Sequence, residues 1–149
     1  MPQETQVTAK FDVPGEIIFK TLTEQIQICQ FTRCLAVSEP QPGGKLEMFD
    51  GNIQGQYVEI EENTKIVMKW KFKDWDDFAD LVISINNVND SCELTLDYTN
   101  IPEYDSHKNF VHLDKIGDGW KQNIFKMIHM VFGYHYRDEW KIWLKFSSL

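Results

Sequence analysis

Apolar and polar positions alternate at the start of the chain, with Val7, Ala9, Phe11 and Val13 on one side and Thr8, Lys10 and Asp12 on the other. That two-residue period predicts a half-buried β-strand over 5–13. Pro14 ends the alternation, and Ile17, Ile18, Thr21 and Leu22 then fall at helical spacing, so a short helix is predicted over 14–22 with proline in its first turn. Thr23 is placed to cap a second helix over 24–31. From residue 34 to 99 the pattern is short strands and turns. Segments 45–49, 55–61, 65–72, 78–85 and 92–98 are rich in β-branched, aromatic or alternating residues. Breakers at 40–44, 50–52, 62–63 and 86–90 separate them. Connections this short force antiparallel pairing, because a parallel return needs a crossover of about a dozen residues. The period lengthens again at the far end: Ile116, Trp120, Ile124, Met127, Ile128, Val131 and Phe132 form one stripe, predicting a long amphipathic helix over 112–133 that stops at Gly133. Such a helix is about 30 Å long, enough to lie across a curved sheet. The whole predicts one α+β domain over 1–134 whose sheet buries one face against the last helix. Residues 135–149 form an aromatic-rich tail with Trp140, Ile142, Trp143, Leu144 and Phe146, for which burial against the domain is preferred.

The segment 65–75, KIVMKWKFKDW, carries two unlike faces. Ile66, Met68, Trp70 and Phe72 point one way and should pack inward, while Lys65, Val67, Lys69, Lys71 and Lys73 point the other. Four lysines within nine residues concentrate positive charge in a chain with 15 Lys and Arg in all. The simpler reading is a solvated outer face that discourages aggregation. The alternative is a surface that steers an acidic protein partner.

Composition narrows the partners. A net charge of −8 argues against general affinity for nucleic acid or anionic lipid, which need a basic footprint. Neither a signal-peptide run at the start nor an apolar stretch of about 18 residues is present, so a soluble, cytoplasmic protein without a membrane span is expected. Cys29, Cys34 and Cys92 lack zinc spacing and are expected to be reduced and mostly buried. His107 and His112 sit five apart in a polar region and do not make a metal site with Cys92 or Asp114. Asp50, Glu59, Glu61 and Glu62 read as solvated strand and turn residues, not an acid/base pair. Gly43-Gly44 lacks the Gly-Lys-Ser/Thr ending of a phosphate loop, so it reads as a turn. No catalytic residue, cofactor or metal is assigned, and the expectation is a protein that is not an enzyme.

Several motifs occur together in a fixed order: Gly43-Gly-Lys-Leu-Glu-Met-Phe-Asp-Gly-Asn52, Gly55, Ile66-Val-Met-Lys-Trp-Lys-Phe72 with Trp75, Gly119-Trp120, and Phe132-Gly-Tyr134. Over about residues 8 to 134 they resemble the C-terminal domain of the activators of heat-shock protein 90 ATPase. The resemblance implies the START-like helix-grip fold: a strand, two short helices, six more strands and a long C-terminal helix, giving a curved antiparallel sheet of seven strands. It further implies a co-chaperone that binds heat-shock protein 90 and favours the closed arrangement of its N-terminal domains. Full-length members also carry an N-terminal domain that docks on the chaperone's middle segment and supplies most of the stimulation. The 149 residues are expected to correspond to the C-terminal unit alone, and so to bind and modestly modulate. Lys65, Lys69, Lys71 and Lys73, with the turn residues Asp50 and Asn52, are the expected partner contacts. Helix-grip proteins also hold apolar molecules between sheet and helix. A carrier of an apolar small molecule is therefore the rival, with Trp70, Phe72, Trp120, Ile124, Ile128 and Phe132 as its candidate cavity or, more simply, as core.

Overall fold

The computed structural model describes residues 3–137. Trp140, Ile142, Trp143, Leu144 and Phe146 of the predicted tail lie outside them. The chain runs through β1 (Gln3–Phe11), α1 (Gly15–Thr23), α2 (Gln25–Thr32), β2 (Val37–Ser38), β3 (Lys45–Met48), β4 (Ile53–Glu61), β5 (Lys65–Phe72), β6 (Ala79–Val88) and β7 (Ser91–Ile101). A helical stretch follows as α3 (Leu113–Gly119), a π-helical segment (Trp120–Phe125) and α4 (Lys126–Phe132), before β8 (Tyr136–Arg137). The strands make one antiparallel sheet in the order β2-β3-β4-β5-β6-β7-β1-β8. The seven expected strands are β1–β7, and β8 is an eighth that pairs Tyr136 with Phe11 and Arg137 with Lys10 at the β1 edge. An extra residue in β4, between Tyr57 and Glu59, shifts its register against β5. Such a bulge raises local twist and helps the sheet curve around the helix.

Three local expectations are corrected. Thr23 does not cap α2: its hydroxyl donates to the Phe19 carbonyl at 2.7 Å, and Glu24 occupies the cap position without a side-chain hydrogen bond. Bonding back to the preceding turn is the alternative open to any threonine at a helix end. The turn expected over 86–90 is shorter, since Asn86, Asn87 and Val88 stay in β6 opposite Glu93, Cys92 and Ser91. Asn87 earns its place there, as its side-chain oxygen accepts the Gly15 N–H at 2.8 Å and ties α1 to the sheet. Finally, the long helix is not uniform. Its apolar positions shift phase at Ile124-Phe125, both buried, and the π segment takes up the extra residue. Its i→i+5 spacing brings the Trp120 and Phe125 rings to 5.6 Å.

The core lies between the concave sheet face and the helices. Val7, Ala9, Phe11, Ile66, Met68, Trp70 and the alternate residues of β6 and β7 meet Ile116, Trp120, Ile124, Phe125 and Ile128. Gly133, at φ 79°, closes α4 in the left-handed conformation and turns the chain toward β8.

Candidate functional site

Strand β5 shows the predicted two faces. Ile66, Met68 and Trp70 are buried, and Phe72 is half-buried near the strand's end. On the convex face the lysines are largely engaged. Lys65 Nζ lies 3.3 Å from a Glu59 carboxylate oxygen on β4, and Lys69 Nζ donates to Asp80 on β6. Asp80 also accepts from the Asn100 amide at 2.6 Å. The Lys69 hydrogen bond, helped by that of Asn100, holds the Asp80 carboxyl below its usual value. Lys71 donates to the Trp75 carbonyl at 2.9 Å and lies over the Phe78 ring. Lys73 has left the strand, is exposed, and pairs with no carboxylate among the described residues. The convex face is therefore a mixed-charge lattice across β4–β6, with its free ammonium group at one end.

That end is where the predicted turn sits. Phe49, Asp50 and Gly51 have φ of 54°, 56° and 90°, three left-handed residues in succession. Glycine adopts this freely, but a bulky phenylalanine does so at a cost of about 1–3 kcal/mol. Hydrogen bonds to the backbone hold the turn: the Leu35 N–H donates to an Asp50 carboxylate oxygen at 3.1 Å, and the Lys73 N–H donates to the Asn52 carbonyl at 2.9 Å. Four of the predicted contacts, Asp50, Asn52, Lys71 and Lys73, thus gather at one end of the sheet. Lys65 and Lys69 lie farther along β5.

The same turn forms one wall of an open cleft of about 390 Å³, between the sheet and the start of the long helix. Trp70, Phe72, Trp120 and Ile124 of the predicted cavity line it. Ile128 and Phe132 do not: Ile128 is packed into the core, and the Phe132 ring stacks on Tyr134 at 5.5 Å. Deeper under the helix, the space around Tyr57, Met68 and Ile83 shrinks to about 20 Å³. That is room for about one water. Sequence reasoning missed the polar rim of the cleft, which is Lys115 and Asn123 on the helix facing Asn52 on the turn. Their signal was faint: Lys115, Gly119 and Asn123 recur every fourth residue beside the apolar stripe. A second depression of about 460 Å³ shares Phe72, Lys115 and Ile116 with the first and continues toward Trp75 and Phe110.

Buried titratable groups near the core are held neutral. Burial pushes the Tyr57 hydroxyl up to about 12 against the opposing effect of its hydrogen bond with Ser38. Burial likewise raises Tyr98 well above its usual value, although it accepts the Trp120 indole N–H. The Cys92 thiol is pushed up to about 11 by burial, the reverse of what a nucleophile needs. Asp105 is lowered, first by the backbone N–H of Asn109 and also by that of His107. It organises the loop before α3. Among the described residues no three His, Cys, Asp or Glu side chains converge on a metal position.

Comparison with known proteins places this geometry in context. A family described as "Activator of Hsp90 ATPase homolog 1-like protein" matches residues 12–132. A mouse relative, activator of 90 kDa heat shock protein ATPase homolog 2, is 37% identical over 98 residues, 64% of this chain and 30% of its own length. The human homolog 1 is 31% identical over 121 residues, 80% of this chain and 34% of its own length. The chain therefore spans about a third of the curated relatives it matches. Among solved structures, an HSP90 activator from Plasmodium falciparum superposes with a TM-score of 0.85 at 30% identity, covering 90% of this chain and 99% of that one.

Proposed function

The chain belongs to the family of activator of Hsp90 ATPase homolog 1-like proteins, and we propose that it is a cytosolic co-chaperone that binds Hsp90 and modulates its ATPase. The observation that carries this reading is the match to the Plasmodium activator, which covers nearly all of that protein's solved chain. A single helix-grip unit can thus carry the designation of activator without a second domain in the solved chain. No described helix is long and apolar enough to cross a membrane.

The action needs no chemistry by this domain. A protein that binds the closed chaperone better than the open one shifts that equilibrium by its differential affinity and by no more. Contact would centre on the end of the sheet where Lys73, Lys71, Asp50 and Asn52 gather, because Lys73 is free to meet a partner carboxylate. Lys65 and Lys69 already serve Glu59 and Asp80, so they contribute mainly to the long-range field that sets the association rate.

Titration calorimetry and an ATPase assay with purified Hsp90 test the proposal. Binding with a change in turnover supports it, and absence of binding at high concentration rejects it. Reversing the charge at Lys73 should slow association several-fold, and Lys65→Gln with Lys69→Gln should have the smaller effect. Unchanged binding with all four lysines neutralised would overturn the choice of surface while leaving the partner in place.

A further inference from the structure

We propose that residues 138–144 continue β8 as a longer strand along β1, so that the aromatic tail covers this edge of the sheet and the flank of the long helix. The register is already set. Tyr136 and Arg137 stand opposite Phe11 and Lys10, and the Asp12 N–H donates to the His135 carbonyl at 2.8 Å. Continued one residue at a time, this antiparallel pairing sets Asp138 against Ala9, Glu139 against Thr8, Trp140 against Val7 and Ile142 against Thr5. No proline falls in 138–149 to interrupt a ladder. Opposite residues in such a pair share a face of the sheet. Val7, Ala9 and Phe11 face the core, and Tyr136 joins them by stacking on Phe11. Trp140, Ile142 and Leu144 therefore fall on the core side, and Glu139, Lys141 and Trp143 on the convex side.

The long helix offers a matching row. A Cβ added at Gly117 would stand 4.0 Å from Val7 Cγ2, and the Phe125 ring lies 5.7 Å from that of Phe11. Eight helical residues and four strand residues each advance about 12–13 Å, so the helix and β1 run in step. Lys121 is then level with Ala9, and Leu113 with Thr5. Along this flank Leu113, Gly117, Lys121 and Phe125 meet Ile142, Trp140, Asp138 and Tyr136 in turn. The pairings are complementary: aliphatic with aliphatic, the largest side chain with glycine, ammonium with carboxylate, and ring with ring. The last of these is already in place, with Phe125 and Tyr136 centroids 6.4 Å apart.

The convex face selects the same register. Thr8 is 2% exposed, and its hydroxyl finds no hydrogen-bond partner among the described residues. A buried orphan hydroxyl calls for an acceptor, and Glu139 falls directly opposite it. Glu139 is also diagonal to Lys10, offsetting the Lys10–Arg137 juxtaposition, and Lys141 is diagonal to Glu4. A slip of one residue would turn Glu139 and Lys141 toward the core. An uncovered sheet edge is a template for pairing with another chain, and the added strand removes it.

Amide hydrogen exchange followed by NMR tests this on the whole chain. The Asp12 N–H faces β8, so by the two-residue period the amides of Thr8 and Gln6 face the added strand, whereas those of Val7 and Ala9 face β7. All four should be protected in the parent, and the Trp140 indole should show contacts to the Val7 methyls. Trp140→Asp should speed exchange at Thr8 and Gln6 by about tenfold or more, while Val7 and Ala9 stay protected and so report an intact fold. Trp143→Asp, on the convex face, should change neither pair. The proposal is overturned if Thr8 and Gln6 are unprotected in the parent, or if the Trp140 contacts lie elsewhere. These parent measurements decide whether or not the Trp140 variant folds. It is equally overturned if Trp143→Asp acts as strongly as Trp140→Asp, because positions three apart share a face in a helix and not in a strand. Protection at Thr8 and Gln6 that rises with protein concentration would overturn it too, by giving the edge to a second copy. The measurements contain no chaperone, so their failure leaves the co-chaperone reading untouched.

Discussion

The two halves of the long helix meet the same sheet and do so differently. Along α4 and the end of the π segment, Phe125 and Ile128 are fully buried, and Phe125 packs edge-on against Phe11 at 5.7 Å. Tyr136 of β8 stacks on Phe11 at 5.6 Å and lies 6.4 Å from Phe125, sealing that end. At α3, Ile116 reaches the core, but Phe72 is only half-buried and the turn at Phe49–Asn52 stands off the helix, leaving the cleft. Aromatic content does not separate them, since Trp70, Phe72 and Trp75 also form a mutually edge-on group with centroids 4.7–5.6 Å apart. Closure does. One end is capped by an eighth strand, and the other opens between two stretches of irregular backbone.

If that contrast is right, Phe125→Ala should be the most damaging change, costing about 3–5 kcal/mol by urea unfolding, because a rigid, sealed site cannot collapse onto the void. The dryness of the closed region can be read at alkaline pH. Tyr57, 1% exposed, has its folded value raised to about 12 from 10, so its contribution is complete below pH 10 and is lost as pH rises through 12. Relative to Tyr57→Phe, the parent should lose about 2–3 kcal/mol over that window. At the open end Phe72→Ala should cost only about 1–2 kcal/mol, since its ring already meets solvent. A loss equal to that at Phe125 would break the comparison. Gly119→Ala should stabilise by about 0.5–1 kcal/mol, as the added methyl enters free space on a helix. Smallest of all, Lys69→Gln should cost at most about 1 kcal/mol near neutrality. The lowered Asp80 carboxyl means this contribution is present above the unfolded carboxylate range and disappears as pH falls through the folded value, so parent and variant should converge in acid.

Much of this was legible along the chain. The alternation at 65–72 placed Ile66, Met68 and Trp70 inside and the lysines outside, and the structure keeps that assignment. The meander and the left-handed stop at Gly133 also follow the pattern. The lysines show where such reading ends. Four positive charges in nine residues suggested a cationic surface, yet Glu59 and Asp80, on strands before and after β5, reach two of them. Their pairing depends on register, and one residue of slip would have put those carboxylates on the opposite face. Similarly, Ile128 and Phe132 share the helix stripe with Trp120 and Ile124 but do not line this cleft.

The sequence by itself determined which side of each element is apolar, where the strands turn and where the helix stops, because those properties are set by side chains and backbone preferences within a few residues of one another. Only the tertiary structure decided which lysines are neutralised, that the helix carries a π segment, and that Lys115, Asn123 and Asn52 face one another across an open space. Each of these depends on how separate elements pair and pack, or balances a local backbone cost against distant packing, and a one-dimensional pattern carries no record of either.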